Sequence, residues 1–265
     1  MLLAATSRGI PALIQEQNSY AGLVNKLLAR RVARICVAYE GMEKFFPAEK
    51  LVLTSNPVRT EIAGGQRAEA LAFFGLTPDR PVLLVIGGSL GARTLNQATA
   101  AALPRLHEAG IQLLWQTGKA YFPTAQEQAA PFAAHNLQAL EFVRRMDLAY
   151  AAADVVISRA GALSVSELCL TGKPSILVPS PNVAEDHQTK NALALVRRHA
   201  ALLVPDAEAP ARLYDEAFNL LADPSRLAEL SRNAHQLAYP HATTTIVDEL
   251  LMLISQRGSS SSPTL

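Results

Sequence analysis

Between positions 154 and 191 the chain reads DVVISRAGALSVSELCLTGKPSILVPSPNVAEDHQTKNA, and this stretch leaves few folds open. An apolar run at 155–158 enters a turn at Gly161 and then a helical stretch whose second turn carries Glu167. A second apolar run at 175–178 ends in a Pro-rich loop, and Asp186, His187 and Gln188 lead into the next helix. Short β-branched runs alternating with helical periodicity describe strand–loop–helix units of a parallel sheet. Such units place their polar loop residues together beyond the carboxyl ends of neighbouring strands, where open α/β sheets bind ligands. The polar cluster fits a nucleotide or a sugar nucleotide.

The alternation extends over the chain. Strands are expected at 12–14, 35–39, 50–54, 82–86, 112–116 and 201–204, with helices at 22–33, 69–74, 93–109, 211–221, 225–237 and 243–255. Leu23, Leu27 and Leu28 fall on one face of the 22–33 helix. Asn56-Pro57 and Gly64-Gly65 interrupt the pattern and mark a joint. The result is an α/β architecture with helices on both faces of a mainly parallel sheet. The part beyond the joint suffices for a complete Rossmann-like domain, whereas the front is too small for an independent one. With 49% apolar and 18% charged residues the chain can build a full core, and a net charge of +1 offers no field for nucleic acid. Cys36 and Cys169 match no metal or redox spacing, and a pair of cysteines suits a reducing compartment. Trp115, in an apolar strand, reads as core.

A second motif, 82-VLLVIGGSLGA-92, runs a buried strand into a glycine-rich turn that opens a helix. Its free amides suit phosphate oxygens. Counting from Gly87, Ser89 and Ala92 stand where the dinucleotide fingerprint asks for Gly and for Gly or Ala, and no Lys-Ser/Thr makes it a Walker loop. A tight structural turn and a phosphate cradle are both consistent with it. Asn18 follows the first strand and reads as a turn residue or a ligand contact, and Arg59 follows Asn-Pro as a solvated side chain or a charge in a cleft. His187 hydrogen-bonds in the site or caps its helix, Arg159 reads as structural or at the cleft edge, and Asp147 as a loop-ordering residue.

Taken in order, EQN at 16–18, NPVR at 56–59, GGSLGAR at 87–93, QTGK at 116–119, SRAGALSVSE at 158–167 and Asp186-His187-Gln188 resemble one family, the peptidoglycan N-acetylglucosaminyltransferases of the MurG type. The resemblance runs over nearly the whole chain. It implies a GT-B fold, with a complete C-terminal Rossmann-like domain and a remnant of an N-terminal one. It also implies inverting transfer of GlcNAc from UDP-GlcNAc to lipid I, giving lipid II, with no cofactor or metal. Carried over residue by residue, the donor site comprises Asn18, Arg59, Ser89, Val143, Ala162, Leu163, Ser164, Val165, Ser166, Glu167 and Gln188. In that reading Glu167 accepts from the ribose diol, Ser89 and its flanking amides meet the diphosphate, and Arg59 adds charge near the leaving group. Val143 meets the uracil through its backbone, and Asn18 and Gln188 read sugar hydroxyls.

The domain limits are then 1–58 as the N-terminal remnant, 59–238 as the donor domain, 239–256 as a helix returning to the front, and 257–265 as a Ser-rich disordered tail. The family's opening strand and its glycine-rich loop ending in His have no counterpart here, and Gln15 replaces the His that often precedes EQN. No residue is placed as the catalytic base, and low activity of the isolated chain is expected. The resemblance further implies peripheral contact with the cytoplasmic face of the bacterial plasma membrane, for which Lys26, Arg30, Arg31 and Arg34 supply charge beside Leu23 and Leu27. Other readings stay open: a UDP-sugar-binding module without transfer, a nicotinamide oxidoreductase, which the failed fingerprint disfavours, and a UDP-GlcNAc 2-epimerase.

Overall fold

The computed structural model describes residues 1–259. Two parallel sheets organise the chain, one of three strands in the order β1-β2-β3 and one of six in the order β6-β5-β4-β7-β8-β9. The front comprises α1 (Leu2–Ser7), β1 (Leu13–Glu16), α2 (Leu23–Leu28), β2 (Arg34–Val37) and β3 (Leu51–Leu53). Its small core gathers Ile14, Leu28, Val32, Ile35, Val37, Met42 and Phe46. Helix α3 (Arg67–Phe74) then leads into the larger unit: β4 (Val82–Ile86), α4 (Arg93–Glu108), β5 (Gln112–Gln116), α5 (Phe122–Ala129), β6 (Leu137–Leu140), α6 (Met146–Ala152), β7 (Val155–Ser158), α7 (Ala162–Thr171), β8 (Ser175–Leu177), α8 (His187–Val196) and β9 (Leu202–Leu203). Helices α9 (Ala209–Leu221), α10 (Pro224–Gln236) and α11 (Ala242–Ser259) complete the described chain.

Strand β4 shows why the large sheet is covered on both faces. All five of its residues are buried, as a strand between two helical layers requires. Val82, Leu84 and Ile86 join the core under α3, α6 and α7, while Leu83 and Val85 join the opposite core under α4 and α9. Chain order runs outward from β4 through β5 to β6, then returns to β7 on the other flank and runs on through β8 to β9. That is the doubly wound order, with its switch point between β4 and β7. The glycine fingerprint of dinucleotide folds is absent although the topology is the one that hosts it.

Several expected elements shift. The helix expected over 22–33 stops at Leu28, because Lys50 Nζ takes up the carbonyls of Ala29 (3.3 Å) and Arg30 (2.8 Å) and the chain turns there. Leu28 enters the core, but Leu23 and Leu27 are 63% and 68% exposed, so only one of the three leucines packs inward. The segment between β5 and β7, for which the sequence pattern named no element, holds α5, β6 and α6. Edge strand β6 is only partly buried and carries a weak pattern. Trp115 is fully buried and its indole donates to Asn96 Oδ1 (3.0 Å). Helix α11 runs beyond 256 to Ser259, and the rest of the expected tail, 260–265, lies outside the described residues.

Candidate functional site

The loops following β4, β7 and β8 lie side by side at the carboxyl edge of the large sheet. The first is the glycine-rich turn, in which Gly88 and Gly91 adopt φ of 82° and 78° and the Gly91 amide closes on Gly88 O at 3.0 Å. A side chain at Gly91 would not fit, since a Cβ there meets Thr117 O at 2.0 Å. The reciprocal holds at Gly118, φ 76°, where a Cβ meets Gly91 N at 2.5 Å. The β4–α4 and β5–α5 loops thus touch backbone to backbone. Ser89 and Leu90, at the tip, are exposed. No side chain caps the first turn of α4, and none caps α7, whose N-cap is Gly161. Two uncapped helix starts flanking the switch point offer amide donors and positive dipole ends to an anion.

Behind the glycine-rich turn, Arg159 fixes the floor. Its guanidinium donates to the carbonyls of Val178 (3.0 Å) and Pro179 (3.1 Å) and pairs with Asp206 at 2.5 Å, both partners being largely buried. Thr94 Oγ1 donates to the other Asp206 oxygen at 2.9 Å, tying the start of α4 to the same network. Arg159 is structural, one of the two roles expected for it.

Glu167 occupies the second turn of α7. Its carboxylate accepts from Tyr150 Oη at 3.0 Å, and Tyr150 is completely buried. Burial pushes the Glu167 carboxyl above the usual carboxylate range, against the opposing pull of the Tyr150 hydroxyl and of the positive charge on Arg59. The same burial, and the neighbouring carboxylate, push the Tyr150 phenol far up, so it stays a donor. Arg59 itself is exposed at the start of a short 3-10 turn, Thr60–Ala63. On the same helix as Glu167, Ala162 and Ser164 are half-buried, Leu163 is exposed, Val165 packs in the core, and Ser166 Oγ accepts from Asn56 Nδ2 at 3.1 Å.

Three of the expected contact residues are already engaged. Val143 is buried and its N–H donates to Gln116 Oε1 at 2.9 Å. Gln188 Oε1 accepts from the Ser180 amide at 2.9 Å. Asn18 Oδ1 accepts from Asn191 Nδ2 at 3.1 Å, and its backbone N–H donates to Glu16 at 3.1 Å. Asn18 therefore fastens a loop. Buried Asn191 also accepts from the Ser19 amide (2.9 Å) and donates to Ala160 O (3.3 Å), while buried Asn56 donates to Gln17 O (3.1 Å) and accepts from Gln15 Nε2 (2.9 Å). These two asparagines join the 15–19 segment to the starts of α7 and α8. Sequence patterns alone assign no role to Tyr150, Asn56, Asn191 or Gln116. Asn56 and Gln116 nevertheless stand inside the motifs NPVR and QTGK, and Asn191 interrupts an otherwise apolar helix face. His187 opens α8 directly after Asp186, and Asp147, in the first turn of α6, pairs with Arg145 at 2.7 Å.

Residues 82–246 match the glycosyltransferase family 28 C-terminal domain. The chain is 53% identical over 258 residues to the UDP-N-acetylglucosamine--N-acetylmuramyl-(pentapeptide) pyrophosphoryl-undecaprenol N-acetylglucosamine transferase of Parabacteroides distasonis, covering 97% of this chain and 70% of that protein. It is 55% identical over 256 residues to the Porphyromonas gingivalis protein of the same name, covering 96% and 68%. The chain belongs to the MurG family. The crystal structure of Acinetobacter baumannii MurG superposes with a TM-score of 0.78 at 33% identity, over 95% of this chain and 69% of that one. The fold is accordingly that of a GT-B glycosyltransferase. Within this MurG-family chain, the family-28 match spans the switch point, the glycine-rich turn, Val143, Glu167 and Gln188, whereas Asn18 and Arg59 lie ahead of it.

Proposed function

We propose that this chain binds UDP-GlcNAc across the switch point and carries the reaction for which its relatives are named, transfer of GlcNAc to undecaprenyl-pyrophosphoryl-MurNAc-pentapeptide (lipid I) to form lipid II. The observation that carries this reading is Glu167, a half-buried carboxylate in the second turn of α7, one of the two uncapped helices that begin at the switch point, with one oxygen held by a buried phenol. A carboxylate so placed accepts from the two hydroxyls of a ribose, the task that acidic residues perform in nucleotide-binding α/β folds.

The remaining roles follow from position. Ser89 and the amides opening α4 take the diphosphate, and the first turn of α7, Ala162 to Ser166, faces the sugar–phosphate junction. Arg59 adds charge near the phosphate that departs. Val143 meets the uracil through its carbonyl, since its N–H serves Gln116. Gln188 reads sugar hydroxyls through its amide nitrogen, and Asn18 supports the loop beside it. In an inverting displacement the acceptor C4 oxygen attacks C1 of the donor as the bond from C1 to the phosphate oxygen breaks. Charge then builds on UDP, where preorganised donors lower the barrier, and the hydroxyl proton passes to a base. That base is not assigned to any residue of this chain.

We read 59–238 as the donor domain and 1–58 as the acceptor-side part, with the 239–256 helix returning to it; the ion pair between Arg34 and Glu249 at 3.1 Å supports that return. Peripheral contact with the cytoplasmic membrane face is assigned to exposed Leu23, Val24 and Leu27 with exposed Arg30 and Arg31, each charge contributing about 1 kcal/mol on anionic lipid. Arg34 is occupied by Glu249 and is left out of that face. No helix among the described residues is long and apolar enough to cross a membrane. Calorimetric titration with UDP-GlcNAc, with Glu167→Ala as control, tests the donor site. Saturable binding lost in the variant supports it, and equal binding by both proteins refutes the role of Glu167. Formation of lipid II from lipid I tests the transfer.

A further inference from the structure

Gln116 ends β5 with its side chain between two loops that never meet in sequence. Its Nε2 donates to Gly88 O at 3.0 Å, in the glycine-rich turn, and its Oε1 accepts from the N–H of Val143 at 2.9 Å, in the loop between β6 and α6. The residue is 5% exposed and Val143 is 3% exposed, so neither bond has water as a ready substitute. The polarity of the pair is fixed. Gly88 offers only an acceptor and Val143 only a donor, so the group between them must donate at one end and accept at the other within one plane. A carboxamide does this, a carboxylate does not, and a protonated carboxyl does.

We propose that Gln116 is a positioning residue for the donor: one side-chain amide sets the distance between the loop that cradles the diphosphate and the loop that meets the uracil. The inference rests on the donor-site reading above and adds to it a residue that touches no ligand. UDP has its base at one end and its phosphates at the other, so it senses the spacing of those two loops directly. Losing either bond lets the loops drift apart, and the ligand then satisfies one end at the expense of the other.

The test is calorimetric titration of the full chain with UDP, for wild type, Gln116→Ala, Gln116→Glu and Glu167→Ala. Each is measured well below its own melting transition, where a residue that merely stabilises the fold leaves affinity untouched. Gln116→Ala is expected to weaken binding about tenfold to a hundredfold at every pH, the range for one or two buried hydrogen bonds. Gln116→Glu is expected to be equally weak near about pH 8 and to recover toward wild type near about pH 5, as the carboxyl gains the proton that replaces the amide donor. Charged residues on the flanking loops, Arg93, Lys119, Glu141 and Arg144, are exposed and common to all the proteins, so ratios to wild type at each pH remove their contribution.

Wild-type affinity in a folded Gln116→Glu at high pH, or weak binding that does not recover as the pH falls, overturns the proposal. If Gln116→Ala fails to fold, Gln116→Glu decides alone. If wild type binds UDP and Glu167→Ala does not, while both Gln116 variants bind like wild type, the positioning role falls and the donor site stands. Absence of UDP binding by folded wild type overturns both.

Discussion

Replacing Tyr150 with Phe removes one hydroxyl from the centre of the proposed site and leaves the ring in place. Tyr150 is fully buried, so no water takes over its bond to Glu167, 3.0 Å long. Well below the carboxyl range Glu167 is protonated in the folded and unfolded states, and the lost bond is one between neutral groups, worth about 1 kcal/mol. Above its folded value the acceptor is a carboxylate, and the same loss costs about 1.5–3 kcal/mol. The sign comes from linkage. The folded Glu167 carboxyl lies above its ordinary value because burial dominates. The stability it contributes is therefore present below the unfolded value and is lost as pH rises through the folded one. Without the phenol the folded value climbs further and that loss deepens. The deficit of Tyr150→Phe against wild type should thus widen by about 1 kcal/mol, or about 2–4 °C in melting temperature, between about pH 4 and about pH 8. Paired thermal melts at both pH values measure it, the general acid sensitivity of the protein cancelling in the difference. A deficit that is constant, or that narrows as pH rises, would mean that Glu167 does not depend on Tyr150.

Other expectations can be checked in parallel. Gly91→Ala should lower unfolding free energy by roughly 2 kcal/mol or more in a denaturant titration, because its Cβ meets Thr117 O at 2.0 Å and its φ is 78°. Asn191→Ala leaves the Ser19 amide without its acceptor and Asn18 without its donor; a loss of about 1–3 kcal/mol is expected, together with faster hydrogen exchange at Ser19 than in wild type. Burial pushes the thiols of Cys36 and Cys169 up to about 11 and about 12, so both should resist a thiol reagent near pH 8 in the native protein and react once guanidinium unfolds it. A native thiol that reacts at the unfolded rate would contradict the buried placement.

Where side-chain period and loop chemistry carried the information, the fold was legible. Strands 82–86, 112–116 and 155–158 sit where their apolar runs ended, and the turn at Gly161 opens α7 as its neighbours implied. Short or half-buried elements were not legible. Edge strand β6, LQAL, shows one fully buried residue, and α2 stops where a lysine from a distant position, Lys50, takes the carbonyls of Ala29 and Arg30 just beyond it. The site divides in the same way. Motifs identified the loops, and Glu167 was singled out by its place on α7. The residues that set those loops, Tyr150, Asn56, Asn191 and Gln116, act through partners up to 173 positions away, a relation that no local spacing encodes. Asn18, open to a turn role or a ligand contact in the sequence, has its oxygen bonded by Asn191, a partner that the local sequence does not reveal.

The mutual contact of Gly91 and Gly118 bears on how such a chain can diverge. Each position excludes a methyl group because the backbone of the other loop is in the way, and backbone has no smaller version to mutate to. A second-site change therefore cannot rescue either glycine; only insertion, deletion or displacement of a whole loop can. Drift is left to the tips, Leu90 and Lys119, which face solvent. Two loops that cross backbone to backbone thus constrain each other's length more tightly than their composition.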